Sequence, residues 1–469
     1  MTSMKKVTIM ALVALCTASC TFGPIWKKPV MPVPDEFRGK TLGTGNMADL
    51  PWQAVLKDAK LQALLNDVFE ANRSLVAMRH NVDIAREDVT IARVPLFPWA
   101  GYSASTSKGM NSQGGANIAQ TGGFTTNPGA AALSASWELD LWGKNRRGVE
   151  SAVASAAATA EEFNNLRISL LRQVACGYLQ LLMLDEQLRI TRSSIEYYRE
   201  SCRLFQHQLD AGIADKLQTA SAEAALAAAE AEVPALEMQI AELENTLSVL
   251  AGRMPGRIER GGTLKSFAAA SSVAAGIPAD VIARRPDIRA KEQELRAANA
   301  EIGLAIANYF PSISLTTAGG IASADLRHSI SGHRTGWGIG ANLNGSVTDV
   351  LFNAGALRAA SRAKKHAFLA AKADYEQTVL SALAEISTTL IQREKLVKVM
   401  RKQEAAVAAY QESVELSMQR YKEGEASYFE VIQAQLLFFP AQKQLAAYRY
   451  QYAACVPTLY TQLGGGWHN

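Results

Sequence analysis

The chain has 469 residues, 48% of them hydrophobic, and a formal net charge of +4. Basic and acidic residues are mixed along its length, which argues against nucleic acid as a partner. The length allows one large core or several domains.

The first twenty residues, MTSMKKVTIMALVALCTASC, carry Lys5 and Lys6, an apolar run Val7–Leu15, and then small residues up to Cys20. This is the layout of a secretory signal over residues 1–19. The apolar run is too short to span a bilayer. A cysteine directly after Ala18 and Ser19 is the pattern of a bacterial lipoprotein signal, with Cys20 the residue to be lipidated. Thr17 departs from that pattern, where Leu is usual, and Cys16 is disfavoured as the site because the bulky Leu15 precedes it. An ordinary signal cut nearby would export the chain equally. Cys176, Cys202 and Cys455 are scattered through helical patterns and are odd in number. They form neither a disulfide framework nor a metal-ligand spacing, and read as small buried apolar residues.

A segment rich in proline follows Cys20, with Pro24, Pro29, Pro32 and Pro34. It cannot be helical, and residues 20–52 read as a tether on the surface of the rest. From 53 to 94, Leu61, Leu64, Leu65, Val68 and Phe69 recur at helical spacing, and Pro95 and Pro98 end the helix. Two strand patterns cover 98–108 and 130–142. In the second, Leu133, Ala135, Trp137, Leu139 and Leu141 share one face, and Ser134, Ser136, Glu138 and Asp140 the other. A helical pattern over 145–209 would be about 100 Å long at 1.5 Å per residue. A break at 210–215 leads to a second helix, 216–251, in which Pro234 predicts a kink. An irregular stretch, 253–278, completes the first half.

The series then repeats. A helix is expected over 279–309, strands over 311–323 and 335–349, a long helix over 354–420, a break over 421–427 and a helix over 428–463, leaving a tail of 464–469. Phe97-Pro98 corresponds to Phe310-Pro311, and Gly212 to Gly424. A near-constant offset with matched element types marks an internal duplication, 53–252 and 279–463, of one helix–strand–strand–helix–helix unit.

In the last strand pattern Trp337, Ile339, Ala341, Leu343 and Val347 alternate with Asn342, Asn344, Ser346 and Thr348. One apolar face and one uncharged polar face suit an outer-membrane barrel, though a sheet lying on a core has the same pattern. Four strands cannot close a barrel, and lipid does not tolerate open edges. At least about eight strands are needed, so several chains must contribute. Helices of this length exceed one compact domain. They point to an oligomeric tube with its strand end in the membrane.

The chain resembles the TolC-like outer-membrane factor family, in its lipoprotein efflux branch. The resemblance rests on TFGPIWKKP after Cys20, PWQAVLKDAKLQALL at 51–65, WELDLWGKNRRGVESA at 137–152 and IPADVIARRPDIRAKEQELRAANAEIGLAIANYFPSISL at 277–315. RYKEGEASYFEVIQAQ at 420–435 and LYTQLGGGW at 459–467 complete it.

The resemblance implies an α+β membrane protein: a homotrimer in which three chains form a twelve-stranded β-barrel in the outer membrane, continued by a twelve-helix α-barrel in the periplasm. Residues 253–278 would belong to an equatorial domain, and Cys20 would carry diacylglycerol and an N-acyl chain. The implied partners are a periplasmic adaptor, an inner-membrane pump and outer-membrane lipid. The implied function is export of drugs or other small molecules. A protein-secretion duct and a periplasmic coiled-coil adaptor or scaffold are the alternatives.

On this resemblance the breaks at 210–215 and 421–427 are periplasmic tips. Gly212 and Gly424 make the turns, with Tyr421 beside them as a helix tether or an adaptor contact. The aperture would be lined by Phe429, Glu430 and Gln433, with Gln218 the counterpart of Glu430 in the first half. Gln433 stands where relatives usually carry Asp, which weakens the expectation of a strong acidic ring. Three copies of Glu430 on one axis would favour cations.

No catalytic constellation is legible. The six histidines lack an HExxH spacing or a triad partner. GWGIGANLNG at 336–345 is no dinucleotide fingerprint, because no helix opens after it. RRPDIRAKEQE reads as a helix start, with Pro286 in the first turn and Asp287 at the positive end of the dipole. Glu138 and Asp140 read as water-facing residues of a strand. The expectation is therefore a passive duct without cofactor, metal or enzymatic activity.

Overall fold

The computed structural model describes residues 21–38, 47–106, 109–111, 124–126, 129–212, 215–269, 278–323, 334–344 and 354–466. The expected signal 1–19, Cys20, Ser346, Val347, Thr348 and Trp467 lie outside the described residues. The helices are α1 (Trp52–Val55), α2 (Ala59–Ala71), α3 (Arg73–Arg93), α4 (Lys144–Asp210) and α5 (Lys216–Leu250) in the first half. They are followed by α6 (Leu264–Ala269), α7 (Pro278–Arg284), α8 (Pro286–Ala307), α9 (Ala354–Lys422) and α10 (Tyr428–Gln462). The strands are β1 (Trp99–Thr106), β2 (Gly109–Asn111), β3 (Phe124–Thr126), β4 (Gly129–Leu139), β5 (Ser312–Ser323) and β6 (Arg334–Asn344).

The chain divides into two units: one of residues 1–29, 82–159 and 291–375, the other of 30–81, 160–290 and 376–469.

The first unit holds a four-stranded antiparallel sheet in the order β1-β4-β5-β6. The two repeats meet inside it, where β4 pairs β5 from Gly129↔Ser323 to Leu139↔Ile313. In register, Tyr102, Leu133, Gly319 and Trp337 stand side by side, as do Ala100, Ala135, Thr317 and Ile339. Their neighbours on the opposite face are Gly101, Ser134, Ala318 and Gly338, then Glu138, Ser314 and Asn342. The expected division into an apolar and a polar face is present across all four strands, not only in the two where it was legible. On the polar face Asn342 Nδ2 donates to Thr316 Oγ1 at 2.9 Å. Trp99 is the exception on that face; its ring covers Gly101, where an added Cβ would lie 2.3 Å from the indole.

Strand β4 ends at Leu139, short of the expected 142, so Asp140 and Leu141 do not belong to the strand. Asp140 is a helix cap instead. Its Oδ1 accepts from Asn145 N and its Oδ2 from Arg146 N, each at 3.0 Å, and Arg146 Nε adds a contact at 3.1 Å. A carboxylate over the first N–H groups of a 67-residue helix is placed by the unpaired donors and by the dipole. Between β1 and β4 lies the short antiparallel pair β2–β3, outside both strand patterns read from the sequence.

The second unit is packed around Leu61, Leu64, Leu65 and Val68 of α2, Leu171, Val174 and Tyr178 of α4, and Leu459, Tyr460 and Leu463 at the C-terminal end. The helix expected over 53–94 is divided in three. Asn72 leaves helical geometry at ψ 122, donates to Leu250 O at 2.7 Å, and caps α3 by accepting from Leu75 N at 3.0 Å. The helix expected over 279–309 is likewise divided at Arg285. Pro286 lacks an N–H and disfavours helix in the residue before it, so α8 starts at Pro286 as the reading of that motif expected. Arg285 then lies buried against Asp287 at 2.6 Å and Glu385 at 3.1 Å. The stretch 253–278 contains α6, which was not foreseen. Pro234 lies inside α5 without interrupting it.

Tyr178 shows how the core handles its polar atoms. Its hydroxyl donates to Asp58 Oδ1 at 3.1 Å and accepts from Gly261 N at 2.8 Å. Burial is the main cause that pushes this phenol up to about 12. Burial likewise pushes the Cys455 thiol up to about 11. Cys455 is buried, whereas Cys176 and Cys202 are only partly so.

Candidate functional site

The expected site residues gather at the two helix turns of the second unit. At the first turn Gly212 has φ +69° and donates its N–H to Leu209 O at 2.9 Å. Asp215 then caps α5 by accepting from Leu217 N at 3.3 Å. At the second turn Gly424 has φ +77°. Gly424 N bonds Tyr421 O at 3.0 Å and Glu425 N bonds Arg420 O at 2.9 Å, the paired contacts of a Schellman helix end. Ser427 caps α10 by accepting from Phe429 N at 3.2 Å. Asp215 and Ser427 occupy matching places in the repeats, a pair of caps that sequence reading missed although Asp and Ser before a helix are its start signal.

Beside these turns Phe205 and Ala222 pack with Tyr428, Val431 and Ile432. Tyr428 meets the Phe205 ring at 5.2 Å and the Tyr421 ring at 4.8 Å, both edge-on. Its hydroxyl shares a hydrogen bond with Ser201 Oγ at 2.9 Å. Burial raises its pKa, and the Ser201 contact opposes the shift. Tyr421 accepts from Gln208 Nε2 at 2.8 Å, so it ties the end of α9 to the end of α4 within one chain.

Phe429, Glu430 and Gln433 are exposed, on the face of α10 opposite Tyr428, Val431 and Ile432. Leu436 and Leu437 continue that exposed stripe and were not foreseen. They follow the same three-and-four spacing, so extending the pattern one turn would have found them. Gln218 is half-buried at the start of α5. Glu430 is not a bare acid, because Arg420 Nη1 lies 3.2 Å from its Oε2 across the turn. Gln435 is fully buried beside this face, and neither polar atom of its amide has a hydrogen-bond partner.

The sheet is the second candidate surface. In a single chain Tyr102, Trp337 and Ile339 are 88%, 84% and 80% exposed on its apolar face. An apolar patch of this kind needs a non-aqueous neighbour. Among the described residues no helix is long and apolar enough to cross a membrane.

The chain thus combines a four-stranded sheet with helices of 67 and 69 residues. Residues 64–253 and 277–465 match the outer membrane efflux protein family, and the chain belongs to that family. The two matched stretches fall on the two repeats. A probable efflux pump outer membrane protein, TtgC of Pseudomonas putida, is 30% identical, covering 99% of this chain and 96% of that one. The cation efflux system protein CusC of Escherichia coli is 28% identical, covering 97% and 98%. The open-state MtrE outer membrane channel of Neisseria gonorrhoeae superposes with a TM-score of 0.83 at 26% identity, covering 96% of this chain and 99% of that one.

Proposed function

We propose that the chain is the outer-membrane component of a tripartite efflux system, acting as a passive conduit rather than an enzyme. Three copies close a twelve-stranded barrel, and their helices form the periplasmic tunnel. A periplasmic adaptor and an inner-membrane pump complete the path and supply the energy. The cargo class is drugs or other small molecules, and Cys20 carries the lipid. The observation that carries this reading is a sheet with one apolar face and β1 and β6 as its outer strands. Such edges in hydrocarbon would leave backbone amides without partners. Pairing β6 of one copy with β1 of the next removes them.

Phe429, Glu430, Gln433 and Gln218 line the aperture in this reading, and the turns at Gly212 and Gly424 with Tyr421 receive the adaptor. The exposed stripe on α10 and the ion pair on Glu430 support it. Reconstitution in a planar bilayer tests it: stable unitary conductance is expected, and a protein that binds membranes without conducting would refute it.

A further inference from the structure

The segment Thr21–Pro29, just after the candidate lipid cysteine, is fixed to the sheet-bearing unit by more contacts than a surface tether requires. Phe22 N donates to Trp142 O at 3.3 Å. The Phe22 ring stacks on Phe310 at 4.5 Å, Trp142 stacks on Phe310 at 5.0 Å, and the Phe22 and Trp142 rings lie 6.1 Å apart, so the three rings form one cluster. Arg147, only 6% exposed, donates Nε to Phe22 O at 3.1 Å and Nη2 to Pro24 O at 3.2 Å. Asn299 Nδ2 donates to the same Pro24 oxygen at 3.1 Å. Lys28 pairs with Glu292 at 2.5 Å.

The backbones are in direct contact as well. Gly23 has φ +107°, and a Cβ there would lie 2.4 Å from Gly303 Cα. A Cβ on Gly303 would lie 2.7 Å from Phe22 O. Two glycines face each other where any side chain would part them. Thr21 in turn lies against Gly143, where an added Cβ would come within 2.9 Å of it.

These contacts fix position rather than composition. A buried guanidinium that binds two backbone carbonyls holds the segment in register whatever its side chains are. The site lies where β4 has ended at Leu139 and β5 is about to begin at Ser312, the same end of the sheet. Cys20 is one residue from Thr21, so its Cα can be no more than about 3.8 Å from that of Thr21. Any acyl group on Cys20 is thereby held at this end of the sheet.

We propose that this clasp is a positioning site for the chain's own N-terminal lipid. Arg147, Asn299 and the Gly23–Gly303 contact hold residues 21–24 so that acyl chains on Cys20 enter the bilayer at the end of the sheet where the helices join. The proposal rests on the outer-membrane channel reading and on lipidation of Cys20. Arg147 is a positioning residue in it, acting through the strap.

The test uses the full chain, expressed as wild type, Cys20→Ser, Gly303→Val and the double variant, with Arg147→Gln as a second way to open the clasp. Three quantities are read: acyl mass on the N-terminal peptide, trypsin cleavage after Lys27, and yield of heat-modifiable trimer in the outer membrane. Loss of two charge-assisted hydrogen bonds predicts strap cleavage at least about tenfold faster in Gly303→Val and Arg147→Gln. Both variants should keep the acyl mass yet fall to the trimer yield of Cys20→Ser, and the double variant should be no worse than either single one. Normal trimer yield in clasp variants whose strap is freely cleaved would overturn the proposal. So would additive losses in the double variant, which would separate clasp from lipid. Should Gly303→Val fail to fold, by circular dichroism, the Arg147→Gln arm decides alone. A wild type that forms no outer-membrane trimer would sink the channel reading instead, a distinguishable result.

Discussion

The two helix turns share a backbone and differ in chemistry. Gly212 and Gly424 both take φ near +70°, and Asp215 and Ser427 both cap the helix that follows. Around Gly424, however, stand the Arg420–Glu430 ion pair and the Tyr421–Gln208 bond, and Tyr428 fills a buried aromatic position. The matching start of α5 offers a half-buried Gln218. Duplication therefore preserved the geometry that a tight helical hairpin demands, while the side chains around the turns diverged.

The largest expected effect breaks the comparison of the sheet's two faces. Trp337→Arg places a charge on the apolar face and should cost about 2–4 kcal/mol per chain if that face meets lipid. Asn342→Asp on the opposite face should change trimer stability little, as read by heat-modifiability on gels. Next, Gln435→Leu should stabilise the second turn by about 1–3 kcal/mol, because it removes a buried amide without partners. A raised melting temperature of the trimer checks this.

The symmetry of the turns is tested by valine at each glycine. Neither Gly212 nor Gly424 has an atom within 4 Å of an added Cβ. The cost is therefore conformational alone, about 1–2 kcal/mol, and should be nearly equal at the two sites. Tyr428→Phe removes only the Ser201 contact and should cost about 1 kcal/mol at the second turn, with little change elsewhere.

The smallest effect on stability is Arg420→Ala, under about 1 kcal/mol, since both partners are half exposed. Its effect on ion flow should be clearer. Freeing Glu430 should shift the reversal potential of reconstituted channels toward cation selectivity, and adding Glu430→Ala should reverse that shift.

Much of this was legible in the sequence because period and punctuation carry it. The long helices α4 and α9 were located to within two residues at each end, and the Gly212 and Gly424 turns were placed correctly. The faces of β4 and β6 were read from alternation alone. What escaped was decided by contacts across the chain. Asn72 divides a helix because Leu250 O takes its amide, and nothing local announces that. Asp140 looked like a strand residue because it keeps the alternation, yet the free N–H groups of α4 claim it. Among the site residues, exposure of Phe429, Glu430 and Gln433 follows from helical spacing. The Arg420 partner of Glu430 does not, because it comes from the far side of a turn.

The account depends on copies of the sheet closing on one another. Light scattering of the detergent-solubilised protein, corrected for bound detergent, measures this directly. The account predicts a protein mass near three times that of the mature chain. A particle of single-chain mass, with the circular dichroism of the folded protein and stable without partners, would contradict it.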